Sequence, residues 1–562
     1  MTFSNFKYTR PDYDKIKTEY QKAIDVLNSD ANLDEVLKTI RELNKFVDDI
    51  DSDFSICQIR YTLNTTDEFY EKENEYCDEL GPKLGEVADE YNHALIKSKY
   101  LNELKKEFGS LLFDKIQMRI EAFDPVIVPL LIEEGKKVSE YQKIIANIEI
   151  EYNGQKLTIP QAGKFMESKD RKVRKEVCDL MWDGYKKVSD KVEKIYDDLV
   201  HLRNDMAIKL GYKNFIELGY KNLGRIGYNA LDVKKYRDEI YKDIVPLATE
   251  ILEKQRARLG LDTLYNYDRA LFYKNGTVEP HGTTKEKLDK ALKMYELMSN
   301  ETGSFARFMV DHELLDLDSR KGKANGGYCT FISRYKAPFI FANFNNTLDD
   351  IGTLTHEFGH AFQVYQTRDF EIDEYRWPTL EACEIHSMSM EFFTWPYMNL
   401  FFDDPLKYQY QHLSESILFL PYGAAVDEFQ HIIYENPNLT PCERKEVWRD
   451  LERKYEPALH YDNEFLNEGS YWIRQSHIFT SPFYYIDYTL AQNCAHQFFV
   501  KMLDNYDKAF SDYIRLCKLG GSKPFLELVK DAGLVNPFTP GSLKDVSKKL
   551  KEWLDSKDDQ KL

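Results

Sequence analysis

The chain has 562 residues, 43% apolar, 30% charged and 14% aromatic, an ordinary globular composition that excludes global disorder and leaves room for several domain-sized units. Acids outnumber bases by 95 to 76, a formal charge of −19, which argues against a nucleic-acid backbone or an anionic membrane surface as partner. Eight scattered cysteines without a CxxC pair read as reduced thiols rather than as a disulfide framework or a thiolate zinc cluster.

The first residues, MTFSNFKYTR, lack the apolar core of a signal peptide. The most apolar runs, Val126 to Ile132 and Ile417 to Val426, contain proline and fall short of the ~20 residues a membrane span needs. A cytoplasmic protein is expected. From Asp12 to about Leu112 apolar residues recur at three- and four-residue intervals, as in Ile16, Tyr20, Ile24 and Leu27, which predicts an α-helical front section. The period changes at Ile144, and the run to Tyr152, the pair Asn153-Gly154 and the run to Ile159 spell a β-hairpin. Helical periodicity resumes to about Leu259, with Lys169 to Lys175 read as a solvated charged face. Gly326 to Phe344, rich in β-branched and aromatic residues, predicts strands. Helices then dominate from Thr347 onward.

Within that last section, His356-Glu357-Phe-Gly-His360 is an HExxH motif in a helix predicted over Thr347 to Tyr365, with Thr347 and Asp350 in the form of a capping box. Side chains four apart on a helix lie about one turn apart on one face, so the two imidazoles can converge on one ion. Glu357 lies beside them, placed to take a proton from a water without ligating. A catalytic site of this kind needs a third protein ligand. Pro378 to Trp395 predicts another helix, on which Glu381, Glu384, Met388 and Glu391 fall near one face. Carboxylates among Met, Phe and Ile call for a compensating cation, although exposed, salt-bridged acids are the competing reading. Spacing alone leaves Glu381 and Glu384 as alternatives.

The segment from His356 to Gln363, followed by Glu384-Ile-His-Ser-Met-Ser-Met-Glu391, resembles peptidase family M3, the thimet oligopeptidase and oligoendopeptidase F family. The nearer likeness is to the bacterial oligoendopeptidase F and Pz-peptidase branch. The resemblance implies that His356, His360 and Glu384 hold one Zn2+ per chain, selecting Glu384 over Glu381. Glu391 then suits the orienting of a ligand histidine. It extends to His477-Ile-Phe-Thr-Ser-Pro-Phe-Tyr484-Tyr-Ile-Asp-Tyr488, which is similar to the family's late His/Tyr segment and implies that His477 and Tyr488 donate to the oxyanion and that Tyr484 assists or contacts substrate. Without it, an aromatic run of this kind reads as plain core. Gly326-Gly327-Tyr328 and Ala337 to Asn343, with Ala342, resemble the family's substrate-edge strand and the loop before it, where an extended peptide would add. Some members carry a third histidine where this chain has Gln363, which is not counted as a ligand.

The expected fold is therefore mainly α, a clam-like gluzincin of the neurolysin type with a small sheet beside the HExxH helix and a deep substrate channel. Its expected division is a helical, channel-wall domain with the hairpin at 1–190 and a catalytic domain at 191–562. The implied activity is zinc-dependent endopeptidase cleavage of short unstructured peptides. A carboxypeptidase or dipeptidyl carboxypeptidase on the same scaffold, and a non-catalytic zinc-containing peptide-binding protein, are the alternatives. Oligopeptides are the expected partners, and a homo-oligomeric state is left open.

Overall fold

The computed structural model describes residues 1–562, the side chain of Pro82 excepted. Its helices begin where the sequence supplies caps. Asp12, Asn32 and Asp67 accept first-turn N–H groups from Lys15, from Glu35, and from Phe69 and Tyr70, starting the helices Tyr13–Asn28, Leu33–Leu63 and Glu68–Lys97. Ala23, Leu27, Val36, Ile40 and Leu43 form a core with Tyr91, Leu104 and Phe113, and Tyr20 and Ile24 pack against it half-buried, as the helical period predicts. The strands among the described residues are β1 (Glu149–Tyr152), β2 (Gln155–Thr158), β3 (Leu315–Asp318), β4 (Tyr328–Ile332) and β5 (Ala337–Phe344). The fold is mainly α with small sheets, as expected. Among the described residues no helix is long and apolar enough to cross a membrane.

Contacts divide the chain into two units. One is Met1–Ala122, Glu279–Pro405 and Lys501–Leu534; the other is Phe123–Val278, Leu406–Val500 and Val535–Leu562. This differs from the division at residues 190 and 191 expected from chain order, because packing groups segments that lie far apart in sequence.

In the first unit the sheet has the order β3-β5-β4, with β3 parallel and β4 antiparallel to β5. Central β5 is buried along nearly its whole length, which explains its unbroken apolar sequence. The pairing of β3 with β5 is interrupted between Asp316 and Asp318. The buried Lys323 ammonium fills that irregularity, donating to the carbonyls of Asp316, Asp318 and Ala342 and to the Asp316 carboxylate. Carbonyls left unpaired by the bulge are thus satisfied. The front helix Leu33–Leu63 lies beside the sheet, with Asp49 and Asp53 pairing Arg334, Asp48 pairing Arg376 and Thr62 bonded to the Tyr328 hydroxyl at 2.6 Å.

The second unit contains the hairpin. Tyr152 pairs with Gln155, and Asn153 and Gly154 both take positive φ, 50° and 74°, as a two-residue type I′ turn requires. The first strand is shorter than predicted, because Ile144 to Ala146 finish the helix Val128–Ala146. The Lys169 to Lys175 stretch is not simply a solvated face: buried Arg174 and half-exposed Arg171 both pair with the fully buried Asp268. Removing one member of such a pair costs about 3–5 kcal/mol, since the other charge stays buried.

His496 is 1% exposed, 2.8 Å from the Ser416 hydroxyl, and burial pushes its imidazole down to about 3, with His412 adding repulsion. The unfolded chain therefore binds a proton near pH 6.5 that the folded chain refuses. The stability this confers is complete above pH 6.5 and is lost as pH falls toward 3. His496→Gln should lower the slope of unfolding free energy against pH by about one proton, ~1.4 kcal/mol per pH unit, in urea titrations between pH 4.5 and 6.5. An unchanged slope would refute this assignment.

Candidate metal centre

The helix Asp349–Gln366 carries the HExxH residues, and its start is held differently from the predicted capping box. Thr347 donates its hydroxyl to Asn345 Oδ1 instead. The Asp350 carboxylate accepts the N–H groups of Asn345 and Asn346 and pairs at 2.7 Å with the fully buried Lys287 ammonium. A buried ion pair thus does the work of a cap, giving the helix a fixed rotation as well as a fixed origin.

Gly359, inside the motif, sets the next step. A Cβ there would fall 2.6 Å from the carbonyl oxygen of His386 and from Ser387 Cα. The helix Leu380–Phe393 therefore crosses at backbone contact, a distance only glycine permits. The crossing brings Glu384 Oε2 to 3.3 Å from His356 Nε2 and 3.3 Å from His360 Nε2. These three residues are the group among the described residues whose ligand atoms gather closely enough, within 4.8 Å of one another, to hold a metal ion. Two imidazole nitrogens and one carboxylate oxygen fit a divalent cation of nitrogen and oxygen preference.

The surroundings tune the donors. Glu391 Oε1 lies 2.7 Å from His356 Nδ1, so Nδ1 carries the proton and the Nε2 lone pair is turned toward the cluster. The Ser387 hydroxyl donates to Glu384 Oε2 at 3.0 Å, a contact the sequence reading missed. Burial by itself would raise Glu384, but the imidazoles of His360 and His356 hold it well below the usual carboxylate range. Burial raises the carboxyl of Glu357 above its ordinary value, with His356 and His360 partly opposing. A Cβ on Gly327 would meet Glu357 Oε1 at 3.5 Å, so the backbone entering β4 passes directly beside that carboxyl. Tyr328 opens β4, with its ring stacked on Phe341 and its hydroxyl committed to Thr62.

One expectation is corrected. Ala342 is fully buried in β5, which is flanked by a strand on each side, so its strand is not a sheet edge and no peptide can be added beside it; the segment leading into β4 is the outer one. Glu381 is buried on the same helix as Glu384 but outside the three-residue cluster. His386, also fully buried, is pushed down to about 4 by burial, and its carbonyl accepts the Tyr513 hydroxyl.

The second unit holds the late His/Tyr residues together. The ring of His477 has its centroid 5.9 Å from that of Tyr484, 5.0 Å from Tyr485 and 5.8 Å from Tyr488. The helix Tyr485–Asp504 crosses the helix Pro405–Glu435 at Gly423, where a Cβ would fall 2.3 Å from Thr489 Cγ2. Just before it, Phe483 adopts φ 66°, a strained value for a bulky residue. Gln430 Oε1 accepts its N–H, and the buried Arg225 donates to its carbonyl and to the Asp487 carboxylate, both at 2.6 Å.

Comparison with known proteins shows the family of the chain. The Peptidase family M3 profile matches residues 164–547, and the Peptidase M3 N-terminal domain profile matches residues 3–123. The chain belongs to peptidase family M3, and the relatives it is similar to are named as oligopeptidases and oligoendopeptidase F homologues. Oligopeptidase PepF of Bacillus subtilis is 26% identical over 408 residues, 70% of this chain but only 58% of that relative, less than two thirds of its length. An oligoendopeptidase F homolog of Borreliella burgdorferi is 22% identical over 555 residues, covering 92% of this chain and 90% of the relative. Among solved structures, PZ peptidase A with an inhibitor is 48% identical, with a TM-score of 0.95 over the full length of both chains. A putative oligoendopeptidase F from Bacillus anthracis is 43% identical, with a TM-score of 0.90 over 100% of this chain and 99% of that one.

Proposed function

We propose that this protein is a zinc-dependent oligoendopeptidase that hydrolyses internal bonds of short unstructured peptides. The observation that carries this reading is the convergence of His356 Nε2, His360 Nε2 and Glu384 Oε2 with the raised Glu357 carboxyl next along the helix. Three protein ligands fit a catalytic zinc site better than a structural one, which four usually close. A divalent ion held there supplies Lewis acidity toward a water and a peptide carbonyl. Glu357 takes the proton of the attacking water and passes it to the departing amine, work suited to a carboxyl whose pKa burial has moved toward neutrality. His477 and Tyr488 serve as neutral donors to the carbonyl oxygen as negative charge develops, with Tyr484 contacting the peptide. The backbone of Gly327 and Tyr328 pairs with the extended substrate, which reads peptides with little regard to side chains. Glu391 fixes the tautomer of His356.

Mass spectrometry of fragments from a mixed peptide library, with and without chelator, tests this. Internal cuts at positions independent of the C-terminus, abolished by chelation and sparing a native globular protein, are expected. Products that track the C-terminus would replace the reading with a carboxypeptidase.

A further inference from the structure

Gln475 has no acid–base chemistry of its own, yet its side chain is buried between two groups that do. Its Nε2 lies 2.8 Å from His477 Nδ1, and its Oε1 accepts the Tyr422 hydroxyl at 2.7 Å. Burial holds the Tyr422 phenol far above its ordinary pKa, so it stays protonated and is a donor. An amide oxygen only accepts and an amide nitrogen only donates. With Oε1 taken by Tyr422, the amide turns its NH2 toward His477, and Nδ1 is left to accept. The rings of Tyr485 and Tyr488, inclined at 64° and 89° to the imidazole with centroids 5.0 and 5.8 Å away, crowd it and oppose a flip that would break this bond.

We propose that Gln475 is a positioning residue that locks His477 in the tautomer protonated on Nε2, so that this nitrogen meets a peptide carbonyl as a hydrogen-bond donor. A neutral imidazole carries one proton, and a hydrogen bond accepted at Nδ1 decides that it sits on Nε2. The opposite tautomer would offer the carbonyl oxygen a lone pair. The proposal deepens the reading above and rests on His477 acting as a donor to the substrate.

The first test is 15N NMR of the Zn2+-loaded protein labelled at histidine, with the His477 signals assigned by their loss in His477→Ala. An unprotonated Nδ1 and a protonated Nε2 are expected. Gln475→Glu, nearly isosteric, accepts at both oxygens and should draw the proton onto Nδ1. At a pH high enough to keep the imidazole neutral beside the new carboxylate, its kcat should fall as far as that of His477→Ala, on the order of 10²-fold for a lost oxyanion donor, with KM and zinc content held; at lower pH, where the carboxylate favours a ring protonated on both nitrogens, the loss should shrink. The double variant should lose no more than His477→Ala alone. A protonated Nδ1 in the unsubstituted protein, or losses that multiply in the double variant, would overturn the proposal. The first of these is read on the unsubstituted protein and needs only the folding of His477→Ala, which assigns the signals. His477→Ala turning over at the parent rate would overturn instead the donor role on which it rests.

Discussion

Glu357→Gln should retain one equivalent of zinc and lose turnover by about 10³-fold, within the range general acid–base catalysis supplies. The substitution keeps the shape of the side chain and removes only its capacity to carry a proton. The proposed ligand atoms of His356, His360 and Glu384 are untouched, so metal content is not expected to change. Burial already disfavours the charged form of Glu357, and a neutral amide at the same place should leave thermal stability equal or slightly higher. Metal analysis and peptide kinetics on one preparation separate the outcomes. Full metal with parent rates would remove Glu357 from the reaction, and lost metal would make it a ligand.

Glu384→Ala should fail one step earlier, with loss of the ion itself. Two imidazoles from one helix remain, and the carboxylate that His356 and His360 hold well below the usual range is gone. Zinc content after dialysis should drop from about one per chain to near zero, and activity should drop with it. A ligand bound only by the folded state adds RT ln(1 + [L]/Kd) to its stability, about 2.7 kcal/mol at a hundredfold excess over Kd. Chelator should therefore lower the Tm of the parent and leave that of Glu384→Ala unmoved. A variant that keeps a full equivalent of zinc would show that Glu384 is not a ligand.

Features set by neighbours in the chain were legible in the sequence. Helical spacing of four places His356 and His360 together whatever surrounds them. Asn153-Gly154 makes its turn because both residues tolerate positive φ, and the helical front section follows from its apolar period and its caps. The family resemblance selected Glu384, yet spacing by itself left Glu381 equally eligible, since residues three apart lie near the same face of a helix.

Packing between distant segments decided the rest. The backbone crossing at Gly359 fixes the rotation of the second helix and turns Glu384, not Glu381, toward the imidazoles. The buried Lys287 that anchors Asp350 is 63 residues away in sequence, and no local cap pattern announces it. Four-residue β3 carries too little pattern to stand out, yet its pairing makes β5 central and withdraws Ala342 from any edge. Gln475 gains its meaning only because Tyr422, 53 residues earlier, occupies its oxygen. The sequence by itself determined the local elements and the candidate side chains they present, because those depend on dihedral preferences and periodicity along a few turns. Their mutual orientation was decided by the tertiary structure alone, because close contact between remote backbones and buried charge pairs fixes helix rotation, and neither leaves a periodic trace in the chain.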